Sequence, residues 1–541
     1  MTVLIKQLTI PVNEGSCDER IPQAIAVRYG LKLDDIKGIR IKKKSLDARK
    51  KRSIAYHYQV EATITDEDIL LKNHSSTVSE LPNKPEYDPV AGLDLKGKKL
   101  KHKPVIIGSG PAGIFAAHVL SEAGQESIIV ERGEAVEDRL RTVNRLRRTG
   151  EFSEKSNYCF GEGGAGTFSD GKLTCGRNHP LIKYLFKEWV RFGAPDEILY
   201  DAHPHIGTDF LMIIAQRMRK YLKERGTEFL FNTQFMGFEE GSQCRYKVKL
   251  DDGRTLETDH LIIAIGHSAR DTYEMLLDHE VAIAPKPFAV GARFEHPQEV
   301  IDQIQFGSCT VLPAAEYKLA ARSGERGIWT FCMCPGGQLM PTNAQAEHLA
   351  INGMSYHARN SGFANAAVVV NVNREDFYKG HPLDGMRFQA EIEKAAYQAG
   401  GGNYHSPAQR LNDFIKGRES KGELKSTYKP GVTSARLDKV LPDFIVTALQ
   451  GALLDYNKKM RGYLSHDAIV AGVETKTSSP IVMMRNKAMQ SESHPGLFPS
   501  GEGAGFAGGI VSASLDGLKV GRAVLEDALA ESCMEQSQST H

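Results

Sequence analysis

The sequence predicts an α/β protein: a discontinuous Rossmann-like domain, an α+β domain inserted into it, and a small N-terminal α/β module. Three observations carry this prediction. The short apolar strand Pro104-Val105-Ile106-Ile107 runs straight into Gly108-Ser109-Gly110-Pro111-Ala112-Gly113, followed by a helix over Ile114 to Ala123. The apolar run Leu261 to Ile265 stops at Gly266, as a strand buried on both faces would. Far along the chain, the cluster Gly501 to Gly509 opens a long helix from Ile510 to Ala530.

The other elements follow from periodicity and punctuation. Val3 to Ile10 alternates like a strand, and Asp18 to Gly30 reads as a helix closed by glycine. Lys37 to Lys44 and Ser53 to Thr65 read as two strands around a basic turn, so residues 1–80 form the N-terminal module. Pro82, Pro85, Pro89 and the lysine-rich run at 96–101 make 81–102 a linker. Within 103–282, the first part of the Rossmann-like domain, Ser127 to Val130 is a second strand and Ala135 to Thr149 an arginine-rich helix. Asp209 to Gly226 reads as a helix, and Thr227 to Phe238 and Tyr246 to Leu250 as strands, with a hairpin turn at Asp251-Asp252-Gly253. Residues 283–475 mix short strands and helices and form the inserted domain, and 476–541 return to complete the first one.

Composition narrows the function. Lys+Arg is 68 and Asp+Glu 67 in 541 residues, a net charge of +1, which excludes a global field attracting nucleic acid or anionic membrane. Hydrophobic residues at 41% and charged residues at 25% are ordinary for a soluble globular chain. No apolar run approaches the roughly 18 residues that span a bilayer, and the N-terminal residues lack a signal-peptide pattern. Eight cysteines scattered through so long a chain are no disulfide framework, and the expected compartment is the cytoplasm. The 51 glycines exceed the roughly 38 expected at a usage of about 7%, and the excess is clustered.

The first cluster, Gly108-x-Gly110-x-x-Gly113, lies between strand and helix. The first glycine permits the tight turn, the second lets a pyrophosphate approach the backbone, and the third lets helix and strand pack closely. The helix start directs free N–H groups and partial positive charge at the diphosphate. Glu131, 23 residues after Gly108 and at the end of the next strand, is placed to accept hydrogen bonds from an adenosine ribose. An acid there disfavours a 2′-phosphate, so FAD or NAD fits better than NADP.

The second cluster has five glycines in 501–509. In flavoproteins of similar layout a terminal segment returns to the first nucleotide site, which distinguishes FAD from NAD; that likeness implies that Glu502 bonds ribityl hydroxyls and that the helix start faces the flavin pyrimidine edge. A third loop, Cys159 to Lys172, has five glycines between 161 and 171, which disfavours helix and favours close backbone approach, and it falls where flavoproteins of this layout wrap the pyrophosphate and the isoalloxazine. The candidate cofactor contacts are Gly108, Ser109, Gly110, Pro111, Ala112, Gly113, Glu131, Arg132, Gly164, Thr167, Ser169, Gly266, Gly501, Glu502, Gly508, Gly509 and Ile510. Lys172, near the flavin N5 or O4, and His205, from His203-Pro204-His205, are the candidate catalytic residues. No metal site is expected.

Two further features have bland readings that are favoured. Cys332-Met333-Cys334 lacks zinc-ligand spacing; a redox dithiol outranks zinc there, and two buried small hydrophobes outrank both. Lys37 to Arg52 holds nine basic residues against Asp47 alone and, with Tyr56 and Tyr58, is able to contact RNA; a solvated hairpin is the favoured reading.

Taken together these residues resemble a family of bacterial FAD-dependent dehydrogenases of unassigned substrate, within the glutathione-reductase-type two-dinucleotide-binding flavoproteins. The resemblance rests on Ser45 to Lys51, the Gly-Ser-Gly-Pro-Ala-Gly fingerprint, the run 163–173, His203 to Asp209, Cys334-Pro335-Gly336-Gly337 and Gly501 to Gly505, and spans nearly the whole chain. It departs from the broader flavoprotein pattern at Glu502, where many relatives carry Asp. It implies FAD binding and an oxidoreductase label, and no known substrate; an oxidoreductase of a small-molecule substrate is the leading expectation. No second GxGxxG stands in a βαβ context, so NAD(P)H would dock transiently as electron donor, if it is the donor. A flavin-dependent RNA-modifying enzyme and a non-catalytic FAD-binding module are the alternatives.

Overall fold

In a computed structural model of the chain, residues 2–12, 16–65, 71–82, 87–93, 97, 99–176 and 178–538 are described, with side chains through Glu531. Pro85, Lys96 and Lys98 of the expected linker lie outside them.

The N-terminal module is a four-stranded antiparallel sheet in the order Ile36–Asp47, Ala55–Ile64, Thr2–Pro11, Val78–Glu80. The last of these strands falls on the boundary of the stretch read as linker. The helix Ile21–Tyr29 buries Ile21, Ile25 and Tyr29 against it and ends where Gly30 turns left-handed at φ 68°. The basic hairpin is not a free solvated arm. Ile54 at its tip is buried in the core of the inserted domain, and Lys44 exchanges backbone hydrogen bonds of 2.8 Å with Tyr200 and Ala202. Lys42 pairs with Glu61, Lys44 with Asp18 and Arg49 with Asp47. Apolar contact and backbone pairing dock the hairpin, and three of its nine basic residues are ion-paired locally.

The Rossmann-like domain centres on a five-stranded parallel sheet in the order Leu497–Pro499, Leu261–Ile263, Val105–Ile107, Ile128–Val130, Glu228–Leu230. Side-chain alternation sends each strand into two cores. Ile106, Ile129 and Ile262 pack under helices, whereas Val105, Ile107, Val130, Leu261 and Ile263 face a three-stranded antiparallel sheet of Phe235–Glu240, Tyr246–Leu250 and Thr255–Thr258. The expected strand Thr227 to Phe238 is therefore two strands in two different sheets. The helix over Pro111–Glu122 starts three residues earlier than the periodicity suggested, with proline in its first turn. The helix Ile510–Gln538 lies along it: a Cβ on Gly517 would fall 2.1 Å from the Ala112 carbonyl oxygen, and one on Gly521 2.7 Å from that of Ala116. Two small-residue positions one turn apart thus dock the end of the chain on its first βαβ unit.

Between these pieces stands a seven-stranded sheet in the order Ala320–Ser323, Arg326–Cys334, Phe363–Val372, Phe288–Pro297, Ile469–Glu474, Ser406–Arg410, Val432–Ser434, antiparallel except for its last pair. The helix Asp443–Lys459 covers one face through Ile445, Leu449, Leu453 and Tyr456. No helix among the described residues is long and apolar enough to cross a membrane.

Candidate functional site

A cleft of about 400 Å³ opens at the carboxyl ends of the parallel strands, where Ile107, Val130, Ala264 and Ser500 line it. That end is where open α/β sheets bind ligands. Phe331, Cys332 and Asn352 of the inserted domain form the opposite wall.

The glycine turn has the geometry its spacing demands. Gly108 stands at φ 104°, and a Cβ there would meet the Ala264 carbonyl oxygen at 2.4 Å. A Cβ on Gly113 would lie 2.0 Å from the Gly108 carbonyl oxygen, so only glycine allows the helix to sit this close to the strand. Gly110 is different: a Cβ there would project into the cleft, 3.8 Å from Gly164 Cα, and around Gly508 and Gly509 nothing lies within 4 Å. These three glycines line a cradle that side chains would fill, and two helix N-termini, those of Pro111–Glu122 and Ile510–Gln538, open onto it.

Two buried groups hold the loops in place. Glu131, 6% exposed, accepts from the Ser109 N–H at 3.0 Å, Ser109 Oγ at 2.8 Å, the Gly133 N–H at 2.9 Å and the Gly161 N–H at 3.0 Å. Glu131 borders the cleft and, besides the expected ribose contact, ties the fingerprint turn to the 157–164 loop. Arg139, fully buried, donates to the carbonyls of Asn157, Tyr158, Gly161, Glu162 and Gly164. Tyr273 adds a latch: its hydroxyl lies 2.8 Å from both the Gly266 and the Gly503 carbonyl oxygens and shares its one proton between them, joining the two distant glycine loops.

The polar wall gathers around Asp170, which is buried. It pairs with Arg359 at 2.7 Å and Lys172 at 3.2 Å and accepts from Ser355. Burial would raise the Asp170 pKa, but Lys172, Arg359 and Ser355 together hold it well below the usual carboxylate range. Burial opposes the charge on Lys172 as well, yet Asp170 and Glu316, the latter 3.6 Å away, keep its pKa above the ordinary value. Lys172 is a fixed cation at neutral pH.

The structure brings together most of the expected residues. Gly108, Gly110, Pro111, Ala112, Glu131, Arg132, Gly164, Ser169, Lys172, Gly266, Glu502, Gly508, Gly509 and Ile510 all line the cleft. Ser109, Gly113, Thr167 and Gly501 stand behind it, Thr167 bonding the Glu162 carbonyl and Gly501 the Asp516 carboxylate. His205 is a correction: its ring stacks on His357 at 5.0 Å and bonds the His357 carbonyl, away from the cleft. Burial, aided by Arg359, pushes its pKa down to about 4, so it is a neutral ring and no proton donor near pH 7. Arg132 pairs with Asp271 at 3.0 Å and stacks over Phe160. Glu502 lies 3.2 Å from His267. Sequence reasoning missed His267, Lys476 and Asn352 on the rim, and misjudged Cys332, which lines the cleft rather than packing as a buried hydrophobe.

Among the described residues His260, Asp527 and Glu531 place ligand atoms within 4.8 Å of one another, but Arg245 already pairs with both carboxylates. That cation takes the charge a metal ion would need.

A Rossmann-like glycine turn completed by a returning terminal segment defines a dinucleotide-binding flavoprotein, and sequence comparison gives the same class. Residues 101–152 match an FAD binding domain, 187–283 a pyridine nucleotide-disulphide oxidoreductase, 287–477 the C-terminal domain of an FAD-dependent protein, and 2–63 a domain of unknown function. The chain is 40% identical over 516 residues to an uncharacterized protein of Clostridium beijerinckii, covering 94% of this chain and 96% of that one. It belongs to the same family, a family of FAD-dependent proteins whose substrate is unassigned, and FAD is its cofactor. Among solved structures, it is similar to glycine oxidase from Geobacillus kaustophilus (10% identity, 80% of this chain and 95% of that one, TM-score 0.31). It is also similar to CtdE in complex with FAD (9% identity, 80% and 88%, TM-score 0.31).

Proposed function

We propose that this chain is an FAD-dependent oxidoreductase that passes a hydride between a small organic molecule and the flavin, with NAD(P)H or another donor docking transiently. A kinship with the glutathione-reductase-type flavoproteins belongs to the same reading, supported by the match at 187–283. The observation that carries the proposal is the convergence of three glycine loops and two helix N-termini on one cleft lined by a half-buried, ion-paired lysine.

The residues fit the cofactor. Gly108 to Ala112 would hold the pyrophosphate, with Gly164 closing over it. Arg132, stacked on Phe160, borders the adenosine end. Glu502 would take the ribityl chain, and Gly508, Gly509 and Ile510 the isoalloxazine, where the helix start favours negative charge. When bound, FAD supplies hydride acceptance and donation at N5. Lys172 holds positive charge at a fixed place, fastened by Asp170 and Glu316, and does not shuttle protons. On the second wall Phe331 and Asn352 would face a substrate, with Lys476 lining the cleft beside Cys159 and Ser268.

The test begins with purification. The protein should be yellow, and denaturation should release FAD identified by mass. An anaerobic screen of donors should find one that bleaches the flavin, and deuterium at the transferred position should slow the bleaching. A colourless protein that takes up no added FAD would sink the reading; bleaching without an isotope effect for any donor would remove the hydride step.

A further inference from the structure

The mechanism above leaves the pair Cys332 and Cys334 without a role. They sit on the strand Arg326–Cys334, whose pairing with Phe363–Val372 shifts register between Phe331 and Cys334. In a regular strand Phe331 and Cys332 would face opposite sides. Here both line the cleft. The cause is the bulge, with Cys332 in the left-handed region at φ 44°, a conformation that a non-glycine residue adopts only where its surroundings hold it. What holds it is Arg293, fully buried, which donates to the Cys332 carbonyl at 2.8 Å while bonding Glu474 and Asn365.

The bulge also turns the Cys334 side chain back onto the backbone of Cys332. Extended residues two apart are separated by about 6.5–7 Å at Cα, near the upper limit for a disulfide. Cys334 instead curls back, its Sγ donating to the Cys332 carbonyl oxygen at 3.3 Å. Cys332 faces the cleft while Cys334 is buried behind it, the arrangement of an attacking and a resolving thiol. The neighbouring Cys334 thiol, with the charges of Arg293 and Lys172, outweighs burial and brings the Cys332 thiol down to about 7. Cys334 is pushed up by its neighbour Cys332 and by burial.

We infer that Cys332 and Cys334 are a redox-active dithiol that exchanges an electron pair with the flavin. The inference rests on FAD occupying this cleft. In the oxidative direction the two thiols lose two protons and two electrons as an Sγ–Sγ bond forms, and oxidised FAD takes up both to become reduced FAD. The reverse direction cleaves the disulfide at the expense of reduced FAD. The chain thereby stores four electrons, two on each group, and its reaction class includes thiol–disulfide exchange at the cleft.

The experiment is an anaerobic dithionite titration of the holo-protein, followed by flavin absorbance and by mass spectrometry after alkylation. Air-oxidised protein should take up four electrons per FAD. The peptide holding both cysteines should gain no alkyl group before reduction and two after it. Cys332→Ser, if it retains FAD, should take up two electrons; the wild-type alkylation result needs no variant. Uptake of two electrons per FAD by the wild type, with both cysteines alkylated in the oxidised state, overturns the inference and leaves the FAD reading intact. A chain that binds no FAD overturns both.

Discussion

The two walls of the cleft are built on different principles. The wall on the parallel sheet is backbone: glycines at 108–113, 161–171 and 501–509 let main chain and ligand approach, and helix starts supply the charge. The wall on the inserted domain is side chain: Phe331, Cys332 and Asn352 face the cleft, Glu316 pairs with Lys172 and Arg359 with Asp170 of the third loop, and all are drawn from positions far apart in the chain. Backbone recognition needs a missing Cβ at fixed spacing, so it leaves a mark in the sequence. Side-chain recognition needs only that distant residues be brought together, so it leaves none.

The largest effect should come from removing the clamp behind the backbone wall. Arg139→Met would leave five carbonyls without their donor, and urea unfolding should show a loss of about 4 kcal/mol with release of FAD. Gly113→Ala comes next, because its Cβ would meet backbone 2.0 Å away. It should cost about 3 kcal/mol of stability and lower the flavin-to-protein ratio. On the opposite wall, Asp170→Asn should cost about 2 kcal/mol at neutral pH, since Lys172 and Arg359 lose their partner. The sign with pH is fixed: a carboxylate whose folded pKa lies below the ordinary 3.8 stabilises above that value and loses its contribution as pH falls further. The wild-type advantage over the variant should shrink below about pH 4.

A smaller effect sharpens the contrast within one wall. Gly508→Ala places a methyl where nothing lies within 4 Å, so apo-protein unfolding should not move while FAD affinity falls about tenfold, or 1.4 kcal/mol. Equal losses in both measurements would mean that this glycine serves the fold rather than the cofactor. The smallest effect is on rate: Lys172→Met should move the pH midpoint of Cys332 alkylation upward from about 7, because a neighbouring positive charge is gone.

What the sequence made legible follows the same division. The βαβ unit, the buried strand at 261 and the returning helix at 510 were readable, because glycine spacing and apolar runs are local properties. Glu131 was found for its position, but its tie to Gly161 was not legible, since nothing local brings that N–H to it. Arg139 could have been found: it occupies the buried stripe of its helix with Val136, Val143 and Leu146, where an arginine must have partners. The partners of Lys172 and the bulge at Cys332 had no local signature, because each depends on register between strands far apart in the chain. His205 was misplaced because a histidine beside a proline says nothing about which side it faces.

The helix Ile510–Gln538 rests its Gly517 and Gly521 on the backbone of the chain's first βαβ unit. This has a consequence for biosynthesis. A ribosome delivers the fingerprint turn hundreds of residues before the segment that completes its pocket. The emerging polypeptide must therefore pass through a stage with a half-built pocket, and capture of the vitamin-derived cofactor becomes one of the last events in its maturation.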